Sequence, residues 1–139
     1  MAPDHVTGRL RAALAACIVL VGCNTADVSV PVRVAGGDTL DERVDIARAF
    51  STETRVAWLV GEVRQRYPWL SQEQVETLRL TVSPSPELPQ VGNEVQIFVT
   101  MRDSPGRASD AVAYCADLVG KALEREKEMR ARGPQARGR

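Results

Sequence analysis

Between Val28 and Val34, apolar and polar residues take turns. Val28, Val30, Val32 and Val34 alternate with Ser29, Pro31 and Arg33, which is the period of two expected of a half-buried strand. Pro31 has no amide proton to give to a ladder, so the segment reads either as an edge strand over 28–34 or as an extended tether. Gly36 and Gly37 end it. From residue 39 to residue 67 the period changes. Leu40, Val44, Ala47 and Phe50, then Val56, Leu59, Val60, Val63 and Tyr67, recur at helical spacing, and Asp38, Asp41 and Glu42 stand where the positive end of a helix dipole favours them. Ser51 is the predicted N-cap of a second segment. One bent helix and two helices both fit residues 39–67, because Gly61 costs about 1 kcal/mol locally in either case. Pro68 stops the pattern. Ser71 and Gln74 have the spacing of a capping box that opens a short turn.

Alternation then returns twice. Leu78, Leu80 and Val82 predict a strand over 77–83, and Val95, Ile97, Val99 and Met101 predict one over 94–102. The connection at 84–93 carries Pro84, Pro86, Pro89 and Gly92 and has no helical period, so the two strands read as an antiparallel hairpin. Ser104 and Pro105 look like a cap and first turn. A final helix over 105–130 follows, with Ala108, Ala111, Val112, Cys115, Leu118, Val119 and Ala122 on one stripe. The predicted fold is therefore α+β in two layers: a small antiparallel sheet, made of the 77–83/94–102 hairpin with a possible edge at 28–34, packed on helices 39–67 and 105–130. Residues 38–130 make one domain. Residues 131–139 read as a disordered basic tail.

Composition changes this picture little. The chain has 139 residues, 44% hydrophobic and 26% charged, as in an ordinary globular domain. Eighteen basic residues balance eighteen acidic ones, which argues against a nucleic-acid binder held by phosphate neutralisation.

The first residues change it more. Arg9 and Arg11 precede the apolar run 12–22, and Cys23 follows directly. A helix of that length rises only about 16 Å against a hydrocarbon core of about 30 Å, so the run reads as a signal h-region and not as a membrane span. Leu20, Val21, Gly22 and Cys23 resemble the lipobox of bacterial lipoproteins. That resemblance covers residues 1–23 alone. It implies cleavage before Cys23, lipidation of the Cys23 thiol (with acylation of the new amino terminus), and a membrane anchor outside the cytoplasm. With Asn24 next to the cysteine, a two-membrane cell would carry the protein on the periplasmic side of its outer membrane; a one-membrane cell would carry it on the outer face of the cytoplasmic membrane. Residues 23–37 then form the lipidated cysteine and its tether or edge strand. More than one acyl chain gives stable anchoring where a single chain is marginal.

Removal of residues 1–22 takes away His5, the only histidine, together with Cys17. Histidine-dependent triads and histidine-bearing zinc sites go with it. Cys115 is then the one free thiol; on the apolar stripe it reads as core, with a raised pKa. No cofactor is implied. The acidic group Asp38, Asp41, Glu42 and Asp45 lacks the alternating ligands and central glycine of a calcium loop, so no metal is assigned to it. Asp103 and Asp110, which flank the start of the last helix, are the carboxylate pair a small hydrolase would use.

Contact candidates are aromatic and arginine residues, the types that dominate binding hot spots. Tyr67 and Trp69 flank Pro68 at a helix end, where Trp69 either closes the core under Val63 and Leu78 or meets a partner. Phe98 faces opposite Ile97 and Val99. It stands on an open sheet face with Arg79, Thr81 and Arg102, or packs under the 84–93 loop. The leading expectation is a lipid-anchored envelope protein acting by non-covalent protein contact through Trp69, Tyr67, Phe98, Arg79 and Arg102. The alternative is a ligand-, peptide- or glycan-binding lipoprotein using the same face, and a carboxylate hydrolase comes third. The expected partners are the membrane, through lipid on Cys23, and an envelope protein. Nucleic acid is not among them, and no span remains after processing.

Overall fold

The Val28–Val34 alternation forms a strand. In the computed structural model, which describes residues 26–90, 92–104 and 106–137, Asp27–Arg33 (β1) pairs antiparallel with Gln96–Arg102 (β3), and β3 pairs on its other side with Arg79–Ser83 (β2). The sheet order is β1-β3-β2, so the strand with the most regular alternation in the sequence lies in the middle. Residues 1–25 lie outside the described residues, and with them the lipobox.

The register defines two faces and two edges. Val30 lies opposite Val99 and Pro31 opposite Phe98; Val82 lies opposite Ile97 and Thr81 opposite Phe98. One face thus carries Val28, Val30, Val32, Ile97, Val99, Met101, Leu80 and Val82. The other carries Ser29, Pro31, Phe98, Thr100, Arg79 and Thr81. The amide of Val34 donates to the Val95 carbonyl at 2.9 Å, and that of Asp103 to the Ala26 carbonyl at 2.9 Å. In an antiparallel ladder hydrogen-bonded pairs alternate with non-bonded ones. These two bonds therefore make 28, 30 and 32 the residues of β1 that bond to β3, and leave Pro31 pointing to the outer edge, where its missing N–H costs no ladder bond. On the other side, 79, 81 and 83 bond to β3, while the backbone groups of Leu80 and Val82 point outward.

Helices cover the apolar face alone. Residues 39–67 form two helices, Leu40–Phe50 (α1) and Glu53–Arg66 (α2). Gly36 and Gly37, with φ of 99° and 90°, turn the chain from β1 into α1, a conformation that a Cβ disfavours. Thr39 and Glu42 close a capping box on α1. The cap of α2 differs from the predicted one. Thr52, not Ser51, accepts the Arg55 amide at 3.2 Å, because Ser51 still donates its own amide to Ala47 at the end of α1. The short helix Gln72–Val75 (α3) starts at Ser71, which caps the Gln74 amide at 3.0 Å. The second half of the expected box is missing, since the Gln74 side chain turns inward. The turn of α3 runs on through Leu78 by bonds to Gln74 and Val75, so β2 begins at Arg79 and not at 77.

The last helix, Ser109–Arg137 (α4), is shifted at both ends. Ser104 does not cap it. The Asp103 carboxylate instead accepts the Ala108 amide at 2.8 Å, and Pro105 lies outside the described residues. At the far end the helix continues beyond residue 130 to Arg137, so the segment expected to be a disordered tail is helical through that point. Its Glu, Lys and Arg residues are good helix formers, and Lys121–Asp117 at 3.1 Å and Lys127–Glu124 at 3.7 Å pair along its surface. Phe50, Leu59, Val63, Ile97, Val99, Met101, Val112, Cys115 and Val119 share one buried core between helices and sheet.

Candidate functional site

The face of the sheet that no helix covers carries a large groove. Its volume is about 940 Å³. Phe98 is half-buried in its floor, flanked across the strands by Pro31 and Thr81. Ser29 and Thr100 line it and hydrogen-bond to each other through their hydroxyls at 2.9 Å. Arg79 and Asp27 close one end as an ion pair at 3.0 Å. At the other end the 84–90 segment folds back over the sheet, tied down where the buried Ser83 hydroxyl donates to the Pro89 carbonyl at 2.8 Å. Within that segment the Ser85 amide donates to the Leu88 carbonyl at 2.7 Å, and Leu88 donates back to the Ser85 hydroxyl at 3.1 Å. This turn presents Pro86, Glu87 and Leu88 as a wall. Both expectations for Phe98 therefore hold in part: it stands on the open face, and the Pro-rich loop borders it.

The groove also bends around the free edge of β2. Leu80 and Val82, whose side chains belong to the helix-covered face, line it together with Arg48 and Ser51 from the end of α1. The Ser51 hydroxyl oxygen is buried without a hydrogen-bond partner. Arg48 forms no ion pair among the described residues. Arg48 carried no signal in the sequence and Ser51 only that of a cap, because only the packing of α1 against β2 brings them to the groove.

The five contact candidates separate. Phe98 and Arg79 meet in the groove. Arg102 shares their face by register but lies outside the groove, its carbonyl accepting from the Gln74 amide and its own amide donating to Thr77 Oγ1. Tyr67 and Trp69 form a second feature, and Trp69 is 63% exposed, so it does not close the core. Tyr67 stacks edge-on against both Trp69 (5.3 Å) and Tyr114 (5.8 Å), and its hydroxyl donates to the Asp110 carbonyl at 3.3 Å. Tyr114 donates to Glu62 at 3.1 Å and lies under the Arg66 guanidinium. Burial, reinforced by the Glu62 carboxylate, raises the Tyr114 phenol above its ordinary value. Tyr114 was missed from sequence because it stands beside the apolar stripe of α4 and not on it.

The remaining candidates have structural employment. Cys115 is fully buried, and burial, with a smaller contribution from Glu62, raises its thiol to about 12. Glu42 caps α1, and the Asp103 carboxylate holds the Ala108 amide just before α4. Among the described residues no three His, Cys, Asp or Glu side chains converge as metal ligands, and no helix is long and apolar enough to cross a membrane. Comparison of the chain with protein-family models, with curated proteins and with solved structures found no match.

Proposed function

We propose that this is a lipid-anchored component of the cell envelope that holds a partner protein non-covalently, and that the groove over Phe98 is where it does so. The tether is read from Leu20–Cys23; the contact is supported by the groove itself. Its walls offer an aromatic ring, aliphatic side chains, hydroxyls, a guanidinium and an uncovered strand edge, all of them groups that recognise rather than react. A groove of this kind fits a segment of a partner better than the flat patch of a large protein interface. A second reading has one observation in its favour: about 940 Å³ falls at the upper end of small-ligand sites, so a ligand-binding lipoprotein remains the alternative.

Replacing Phe98 with the photo-crosslinker p-benzoylphenylalanine in the full chain, expressed in its own cells, tests the proposal. Irradiated membranes should yield one discrete protein adduct, and the Cys23→Ala form should leave the membrane and lose that adduct. An adduct of small-molecule mass, or none at all, would overturn the protein-contact reading. A Cys23→Ala form that stays anchored and is processed normally would overturn the lipid tether.

A further inference from the structure

The two edges of the sheet are not equivalent. On β1 the outward positions include Pro31, which has no N–H to offer, and its neighbours Ser29 and Arg33 are exposed and polar. Proline and charge are common devices by which an edge strand refuses a further strand. On β2 the outward positions are Leu80 and Val82, and neither is proline. Two amide donors and two carbonyl acceptors thus face away from β3, along the stretch where the groove bends around the edge between Arg48 and Ser51 on one side and Pro86 and Leu88 on the other. A further strand would need just such an opening, with walls on both faces for its alternating side chains.

From this juxtaposition we infer that the groove receives an extended peptide segment of the partner, which adds to β2 as a fourth strand by bonding to the backbone of Leu80 and Val82. The inference rests on the groove-binding reading above and specifies its mode. The occupant's chemistry follows from the walls. Side chains on the outer side lie beside Thr81 and Arg79, with Leu88 in the adjoining wall and Phe98 one strand further in, while those on the inner side meet Leu80 and Val82 and are largely apolar or β-branched. The exception is an acidic side chain opposite Arg48, whose guanidinium has no carboxylate partner among the described residues, whereas Arg79 is already paired with Asp27. The preferred segment is a short β-forming peptide with one carboxylate.

A random decapeptide library displayed on phage, selected against the folded full chain, supplies the probe, and ¹⁵N NMR of the selected peptide's complex supplies the readout. The expected result is enrichment of alternating apolar sequences with an acidic residue, together with slowed hydrogen exchange of the Leu80 and Val82 amides on binding. Val82→Pro trims a half-buried side chain and removes an outward N–H, as Pro31 does in β1, but no ladder bond to β3, and it should weaken the selected peptide by about tenfold or more. Leu80→Pro serves as the second variant, and the dispersed native spectrum certifies folding of each. Selected peptides that shift Phe98 without protecting the two amides, and that bind Val82→Pro equally well, would overturn strand addition while leaving groove binding in place. Failure of the library to yield any groove-directed peptide would overturn the peptide occupant. Concentration-dependent dimers with contacts from β2 to β2 would assign the edge to a second copy of this chain instead.

Discussion

Gln74 is the residue on which the geometry around the end of β3 turns, and its removal should be among the costliest single changes outside the apolar core. Its side chain is fully buried. The amide nitrogen donates to the Arg102 carbonyl at 2.8 Å and also to the Gly106 carbonyl, while the amide oxygen accepts the Gly106 N–H at 3.3 Å. One side chain thus satisfies three backbone groups of the segment that leads from β3 to α4. Gln74→Leu keeps the volume and removes all three bonds. Each buried polar group left unpaired costs about 1–3 kcal/mol, and partial relaxation toward water brings the expected total to about 2–5 kcal/mol. For a domain of this size that lowers Tm by roughly 10–25 °C. Urea unfolding at constant m-value is the assay. Gln74→Glu adds a diagnostic of sign. A carboxylate facing carbonyls has its folded pKa raised, so its stability is retained below the unfolded value of about 4.3 and is lost as pH rises above it. If Gln74→Leu costs less than about 1 kcal/mol, or Gln74→Glu shows no loss between acid and neutral pH, the claim that this amide pins the segment is wrong.

Two further expectations concern single side chains. Because the Cys115 thiol moves from 9.0 to about 12 on folding, the unfolded chain releases its proton first. Stability should be unaffected below about pH 9 and should fall between pH 9 and 12, by up to about 4 kcal/mol relative to a Cys115→Ala variant; parallel pH profiles of the two proteins would contradict the burial of that thiol. Trp69→Ala removes a mostly exposed ring whose one stacking contact is with Tyr67, so it should cost no more than about 1.5 kcal/mol, against about 3–5 kcal/mol for a buried tryptophan. Thermal melts distinguish the two.

What the sequence disclosed about this fold was whatever one-dimensional periodicity can encode. Val95, Ile97, Val99 and Met101 alternate because α-helices cover one face of β3 only, and Cys115 falls on the α4 stripe because that stripe is the core; both were legible. Pro31 limited its segment to an edge strand or a tether, because the missing N–H is a local property, and the edge strand is what forms. Gln74 was read as a cap because a polar residue three positions after a serine usually is one, and nothing in its neighbourhood announced that it would turn inward to serve residues 102–106. The same holds for the groove. Phe98 and Arg79 were visible as residues of the uncovered face, but Arg48 and Ser51 enter only through the packing of α1 beside β2, and Tyr67 and Trp69, close in sequence to one helix end, belong to a separate aromatic corner built with Tyr114. The end of α4 was obscured for the opposite reason: Gly133 and Pro134 look like a stop, whereas the favourable residues before them carry the helix past it.

The connection between β2 and β3 makes physical sense only alongside the edge it borders. An antiparallel pair can be joined by two residues, so the long Pro-rich link between these strands does more than close a hairpin. Its tie from Ser83 to Pro89 and its Ser85–Leu88 turn hold it over the outer face, where it forms one wall of the groove while Arg48 and Ser51 form the other. An open edge is ordinarily a hazard, because it accepts any strand that approaches. On β1 that hazard is removed by proline. On β2 it is confined between two walls, which restrict access to a segment of the right width and side-chain pattern, and that selectivity is what the proposed strand addition would require of the edge.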